Sequence, residues 1–275
     1  MLTKKIISHN FEHSEMGSDM AIDMDNEIRR KMSRHPNILF RRRTYWIRKI
    51  IRYALRRYGL SKPSQLPPFH PKWKPFQAQA QQLQLDGFVF IENFLNETDA
   101  ELLRINWPKS RFFGPISPDE DHKTSDKGLV CDLGKPLFDT SKSPHMWGLF
   151  QMFLSQAFTD EVSALCGDGI DRYPYHMLAQ NSFWGSGLAP HRDSIDNQYM
   201  KKINFIYFVD ANGSGWEAGG TAMLNSNSFD YPIFVPTNLR NTCLFYFSES
   251  ELFHGFPIMR FGKFRNNVIA HFCAK

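Results

Sequence analysis

The alternation of apolar and polar residues changes rhythm twice along the chain. Residues 1–40 are polar, dotted with methionine and without a sustained period, and read as a loosely ordered lead. Between Thr44 and Tyr58 the apolar residues Ile47, Ile50, Ile51, Ala54, Leu55 and Tyr58 recur at helical spacing, while Arg48, Lys49, Arg52 and Arg56 fall mostly opposite. That is the pattern of an amphipathic helix, because residues three and four apart share a face. Gly59 is placed to end it, and the Pro-rich run from Ser61 to Pro75 comes next as a connector. The chain therefore divides into an N-terminal extension, residues 1–75, and a body, residues 76–275.

Within the body, helical periods give way to strands. The Gln-rich stretch 77–85 reads as a helix ended by Asp86 and Gly87, Phe88 to Phe94 as a strand, and the next stretch as a helix capped by Asn96 or Thr98. Residues 108–145 are rich in Pro, Ser, Asp, Lys and Gly and read as a long loop. A loop of that length in a compact domain more often binds or covers something than fills space. Trp147 to Leu165 is periodic and helical. From about Arg172 onward, short β-rich runs alternate with turn signals at Gly185 to Gly187, Asn212 to Gly215, Gly219-Gly220, Asn225 to Asn227 and Gly262. That rhythm predicts an all-β sandwich or barrel, so the fold class is mainly β with flanking helices, an α+β body.

Composition sharpens this picture in three places. Hydrophobic content of 42% and charged content of 22% are those of a globular chain rather than a disordered one. The 15% of aromatic residues crowd into the second half, which suits half-buried strands. The net charge of +5 is uneven: residues 11–28 carry only acids, and from Arg29 to Lys62 there is no acid at all. The basic helix within residues 41–58 has three readings, in order of preference: packing on the body, resting on an anionic membrane surface with Tyr45 and Trp46 at the interface, and binding nucleic acid through phosphates. No nucleic-acid recognition motif accompanies it. Cys131, Cys166, Cys243 and Cys273 form no CxxC pair and read as thiols of a reducing compartment. With no run of about 18 apolar residues and no signal peptide, the expected location is cytoplasmic, peripheral to the membrane if residues 41–58 engage lipid.

Candidate chemistry concentrates in the β-rich half. Residues two apart in a strand face the same way, so His191 and Asp193 can aim an imidazole and a carboxylate at one point. His254, beyond the apolar run Cys243 to Phe247, is the best candidate for a third ligand. Two histidines and one carboxylate on one face leave three positions of an octahedral ferrous ion open for a chelating cosubstrate and oxygen. An HxD pair alone is weak, since it often arises by chance. The order of the segments after the pair strengthens it: a strand from Lys202 to Val209, a turn, the segment Trp216 to Thr221, a further strand, His254, and a basic residue on the last strand. On that last strand Arg265, Asn267, Ile269 and His271 share one face, and Asn266, Val268, Ala270 and Phe272 the other. A buried arginine needs an anion, and its planar fork suits a carboxylate. Arg265 is preferred for that role over Arg260, which falls in the turn before Gly262. Asn267 reads as an inward-facing contact, His271 as a core histidine, and Trp184 and Trp216 as pocket walls or, more usually, core.

Taken together, His191-x-Asp193, the stretch INFIYFVDANGSGWEAGGTAML, the HGFP around His254 and the arginine on the last strand resemble the prolyl 4-hydroxylase-like branch of the 2-oxoglutarate/Fe(II)-dependent dioxygenases. The resemblance covers about residues 172–275, with DGFVFIENFL as a lead-in strand. It implies a double-stranded β-helix (jelly-roll, cupin-like), with Fe(II), 2-oxoglutarate as cosubstrate, O2, and ascorbate as a stimulant. It implies that His191, Asp193 and His254 hold the iron, that Arg265 and Tyr207 hold the cosubstrate carboxylate, and that Asn181 makes a further polar contact. The implied reaction is hydroxylation of a C–H bond in a small molecule, a saccharide or lipid-linked group, or a peptide side chain, with release of succinate and CO2. Two other readings stand beside it: a non-catalytic jelly-roll binding module, and a nucleic-acid demethylase of the same superfamily.

Overall fold

The computed structural model describes residues 77–108, 127–132, 135–136, 144–167, 174, 176–193, 202–248 and 250–273. The extension, with its basic helix, and most of the stretch 108–145 lie outside the described residues. Among the described residues, four helices precede the main run of strands. α1 (Gln77–Asp86) ends at Gly87. α2 (Glu97–Ile105) is capped by Asn96, whose side chain accepts from the Asp99 N–H, and Glu97 and Asp99 stand in its first turn where the helix dipole favours acids. The expected single helix from Trp147 to Leu165 is two, α3 (Pro144–Phe153) and α4 (Gln156–Cys166). Ser155 accounts for the break, because its side chain accepts from the Phe158 N–H and so starts a new helix instead of continuing the old one.

The strands are β1 (Phe88–Glu92), β2 (Lys127–Asp132), β3 (Lys135–Pro136), β4 (His176–Phe183), β5 (Leu188–His191), β6 (Lys202–Ala211), β7 (Ala222–Leu224), β8 (Pro232–Phe234), β9 (Thr242–Phe247), β10 (Phe253–Phe256) and β11 (Phe264–Cys273). They form two sheets of wholly antiparallel pairs, one in the order β1-β9-β6-β11-β4-β2-β3 and one in the order β5-β10-β7-β8. This is the double-stranded β-helix expected from the sequence. β2 and β3 correct the loop reading of 108–145: the short apolar run Gly128 to Cys131 pairs with β4 and extends the large sheet. The segment Trp216 to Thr221 begins as a 3-10 turn, Gly215–Ala218, before β7 starts at Ala222.

The large sheet is buried on both faces, and the two faces differ. Val89, Ile91, Met177, Ala179, Phe205, Tyr207, Val209, Cys243, Phe245, Val268, Ala270 and Phe272 pack against the helices. On the other side Phe88, Ile206, Phe208, Leu244 and Tyr246 meet Met223 of the small sheet, with Phe90, Phe234 and Ile269 partly buried against them. Cys166, Cys243 and Cys273 are free thiols.

Candidate active site

The small sheet brings the two candidate histidines together. β10 pairs with β5 so that His254 lies directly across from His191, with ring centroids 4.2 Å apart. Gly255 permits this approach: a Cβ there would stand 2.6 Å from the Leu188 carbonyl oxygen, so any side chain would push β5 away. Asp193 comes two residues after His191. Its Oδ1 is 3.6 Å from His191 Nε2 and 3.5 Å from His254 Nε2, and one ligand atom from each of the three residues lies within 4.8 Å of the others. Facial ligands about 2.1 Å from a first-row metal ion stand roughly 3 Å apart. Asp193 already stands near that spacing from both imidazoles, and with no pair wider than 4.8 Å the three groups fit one ion after movements of at most about an ångström by each.

Their protonation suits a cation. His191 Nδ1 is 2.9 Å from the Ala189 carbonyl, which can only accept, so Nδ1 carries a proton and Nε2 is the ring nitrogen turned toward Asp193 and available to a metal. Burial pushes the His254 imidazole down to about 4, against the pull of Asp193, so it is neutral at neutral pH. Burial works against the Asp193 charge, but His254 and His191 outweigh it and hold the carboxyl below its ordinary range. Tyr246 reaches the same place from β9, its hydroxyl 3.2 Å from His254 Nε2.

Arg265 is the second residue of β11 and is 2% exposed. Its guanidinium donates to the Gly219 carbonyl, to Thr221 Oγ1 at 3.2 Å and to Ser182 Oγ at 3.2 Å, and it lies 4.1 Å over the Phe256 ring. Gly219 is left-handed at φ 80, and its carbonyl is part of this cradle as well as of the turn. Arg260 takes no part, since its side chain is 74% exposed and paired with Glu217 at 2.7 Å.

Two expected contacts are corrected. Tyr207 lies opposite Val268 and faces the helices, where its ring packs 5.3 Å from Phe94 and its hydroxyl donates to Asn241 Oδ1. Asn181 lies opposite Asn266 and accepts from the Trp107 indole N–H at 2.5 Å, also away from Arg265. Both are one residue out of phase, so their neighbours hold the inward places. Phe208, Gln180 and Ser182 share the face of Arg265 and Asn267, with Ser182 across from Arg265 and Gln180 across from Asn267. Asn267, fully buried, donates to Gln180 Oε1 at 3.0 Å. Neither tryptophan walls the site: Trp184 is 46% exposed against Phe261, and Trp216 packs on Phe229.

The parity of β6 and β11 also places polar groups that sequence pattern leaves unmarked or assigns to the core. Asn204 donates to Asp193 Oδ2 at 2.5 Å and to Ser248 Oγ at 2.8 Å, and its Oδ1 is 2.5 Å from His271 Nδ1. His271 shares the inward face with Arg265, as expected, but it is tied to the Asp193 carboxylate through Asn204.

No family model matches the sequence, and no curated protein matches it at the sequence level. Solved structures do match in three dimensions. A Pseudomonas putida prolyl-4-hydroxylase is similar with a TM-score of 0.51 at 14% identity over 72% of this chain and 98% of that one. A Trichoplax adhaerens prolyl hydroxylase, in complex with a hypoxia inducible factor peptide fragment, gives 0.51 at 14% over 71% and 86%. HygX from Streptomyces hygroscopicus, with nickel and 2-oxoglutarate bound, gives 0.52 at 11% over 73% and 88%. At such identity the likeness is one of architecture, and it establishes that this chain has the double-stranded β-helix fold of the 2OG-Fe(II) oxygenases.

Proposed function

We propose that the protein is an Fe(II)- and 2-oxoglutarate-dependent dioxygenase that hydroxylates a C–H bond of its substrate and releases succinate and CO2. The observation that carries this reading is the convergence of His191, Asp193 and His254 beside a buried guanidinium. His254 and Phe256 are two residues apart on β10, about 7 Å along the strand, and Arg265 stacks on Phe256. A short keto diacid with its keto end at the three ligands reaches Arg265 with its far carboxylate. Two imidazole nitrogens and one carboxylate are the donor set that suits a ferrous ion with open positions. With 2-oxoglutarate such an ion supplies the oxidation, one atom of O2 ending in succinate and the other in the substrate. The chain's own part is to hold the ion, to fix the anion through Arg265, and to keep water out with Phe208, Phe256, Met223 and Ile269.

The nickel and 2-oxoglutarate in HygX support the same occupants here. The peptide on the Trichoplax enzyme and the hygromycin B on HygX support a substrate among peptide side chains, saccharides and other small molecules. The test is anaerobic addition of Fe(II) and 2-oxoglutarate, which gives the weak visible charge-transfer band of the chelate, followed by a screen of amino acids, sugars and peptides for stimulated succinate formation. His254→Ala removes both signals. A folded, reduced protein that gives no band is a binding module instead.

A further inference from the structure

Asn204 is buried on the inter-sheet face of β6, and its three hydrogen bonds fix one another. An ionised carboxylate only accepts, so the amide atom that faces Asp193 Oδ2 is the nitrogen. The carbonyl oxygen then faces His271 and also only accepts, so His271 Nδ1 carries its ring proton. Both hydrogens of Asn204 Nδ2 are used, one on Asp193 and one on Ser248. Neither the amide nor the ring can turn over without losing a bond that the other depends on.

We propose that Asn204, locked in orientation by His271, is a positioning residue that holds Asp193 to a metal ion by one oxygen only. Asp193 Oδ1 is the oxygen near both histidine nitrogens, and Oδ2 is the oxygen tied to Asn204. A carboxylate free to rotate can put both oxygens on a cation, as acidic ligands of larger ions do. That would fill one of the three positions that a chelating keto acid and oxygen need. The clamp also joins the two sheets: His191 and His254 belong to the small sheet, whereas Asn204 and His271 belong to the large one. Groups of this kind behind a metal ligand typically change affinity 10–100-fold when removed.

The proposal rests on the metal-centre reading and not on the oxygenase reaction, so metal binding itself is the readout. Mn(II) affinity is measured by calorimetry, the visible spectrum of the Co(II) form reports coordination, and the melting temperature of the metal-free protein controls for folding. Asn204→Ala lowers Mn(II) affinity 10–100-fold and changes the Co(II) spectrum; Asn204→Ser, which keeps a donor, loses less and serves if the alanine variant does not fold. His271→Phe weakens binding by a smaller factor, and His271→Gln, whose amide N–H can still donate to Asn204, restores most of it. Wild-type affinity and spectrum in both Asn204 variants overturn the clamp. Equal losses in His271→Phe and His271→Gln overturn the lock. A wild-type protein that binds neither ion sinks the metal centre and the clamp together.

Discussion

The two faces of the large sheet are made from the same strands, yet one is almost wholly apolar and the other sets polar groups among its apolar ones. Toward the helices, β11 presents Val268, Ala270 and Phe272, and β6 presents Phe205, Tyr207 and Val209. Toward the small sheet the same strands present Arg265, Asn267 and His271, and Asn204 and Phe208. The helix side is an aromatic core in which Phe205 touches Phe94, Phe153, Phe158 and Phe245 at centroid distances of 4.7 to 5.8 Å. The inter-sheet side buries amides, hydroxyls and a guanidinium that an apolar filling would replace at less cost to folding. One face supplies the stability that lets the other be polar. The separation is legible along a single strand, residue by residue.

Breaking either face gives a different signature. The largest effect expected is from Phe205→Ala, which costs about 3–5 kcal/mol of unfolding free energy in denaturant titration while Mn(II) affinity of the folded protein stays within twofold. Arg265→Met does the reverse, weakening 2-oxoglutarate binding to the Mn(II) form roughly 10–100-fold, the cost of a charged hydrogen bond, with metal affinity kept. Acidification acts through His254. The unfolded imidazole takes a proton near its ordinary value and the folded one only near about 4, so between those two values the unfolded chain binds more protons. The metal-free protein is therefore fully stabilised above about pH 6.5 and loses on the order of 2–3 kcal/mol as pH falls toward 4. Melting curves across that window check the slope, and His254→Phe flattens it. Smallest is Tyr207→Phe, about 1 kcal/mol from the bond to Asn241 with 2-oxoglutarate affinity unchanged. A loss of keto-acid affinity there would return Tyr207 to the pocket.

These faces also explain how much can be read from the sequence. β11 runs from three polar residues, Arg265 to Asn267, into three apolar ones, Val268 to Ala270, but counting by twos from Arg265 puts Arg265, Asn267 and His271 correctly on one side. β6 is buried on both faces, and Ile203 to Val209 is an almost unbroken apolar run in which period two leaves no trace. Tyr207 and Phe208 are indistinguishable by pattern, and only the register against β11 separates them. Asn181 sits between Gln180 and Ser182, three polar residues in a row, with the same ambiguity. His191 and Asp193 are legible because their spacing is local. Their meeting with His254 depends on the β5–β10 pairing across some sixty residues, which no local rhythm encodes; the order of motifs along the chain stands in for it. The clamp is hidden for a related reason, since its members, Asp193, Asn204, Ser248 and His271, come from four separate places. The strand β2 escapes notice because its few apolar residues sit among charges and glycines, and pairing with β4, not its own composition, makes it a strand.

The glycine next to His254 bears on how an ion would enter. Because β5 rests against the bare Cα of Gly255, the two imidazoles are set by main chain meeting main chain. Coordination by these two rings then draws little on chain entropy, which leaves more of its free energy to appear as tightness of binding and as resistance to heat. Gly255 thus works as a gauge block: its missing methyl group sets the gap between the jaws.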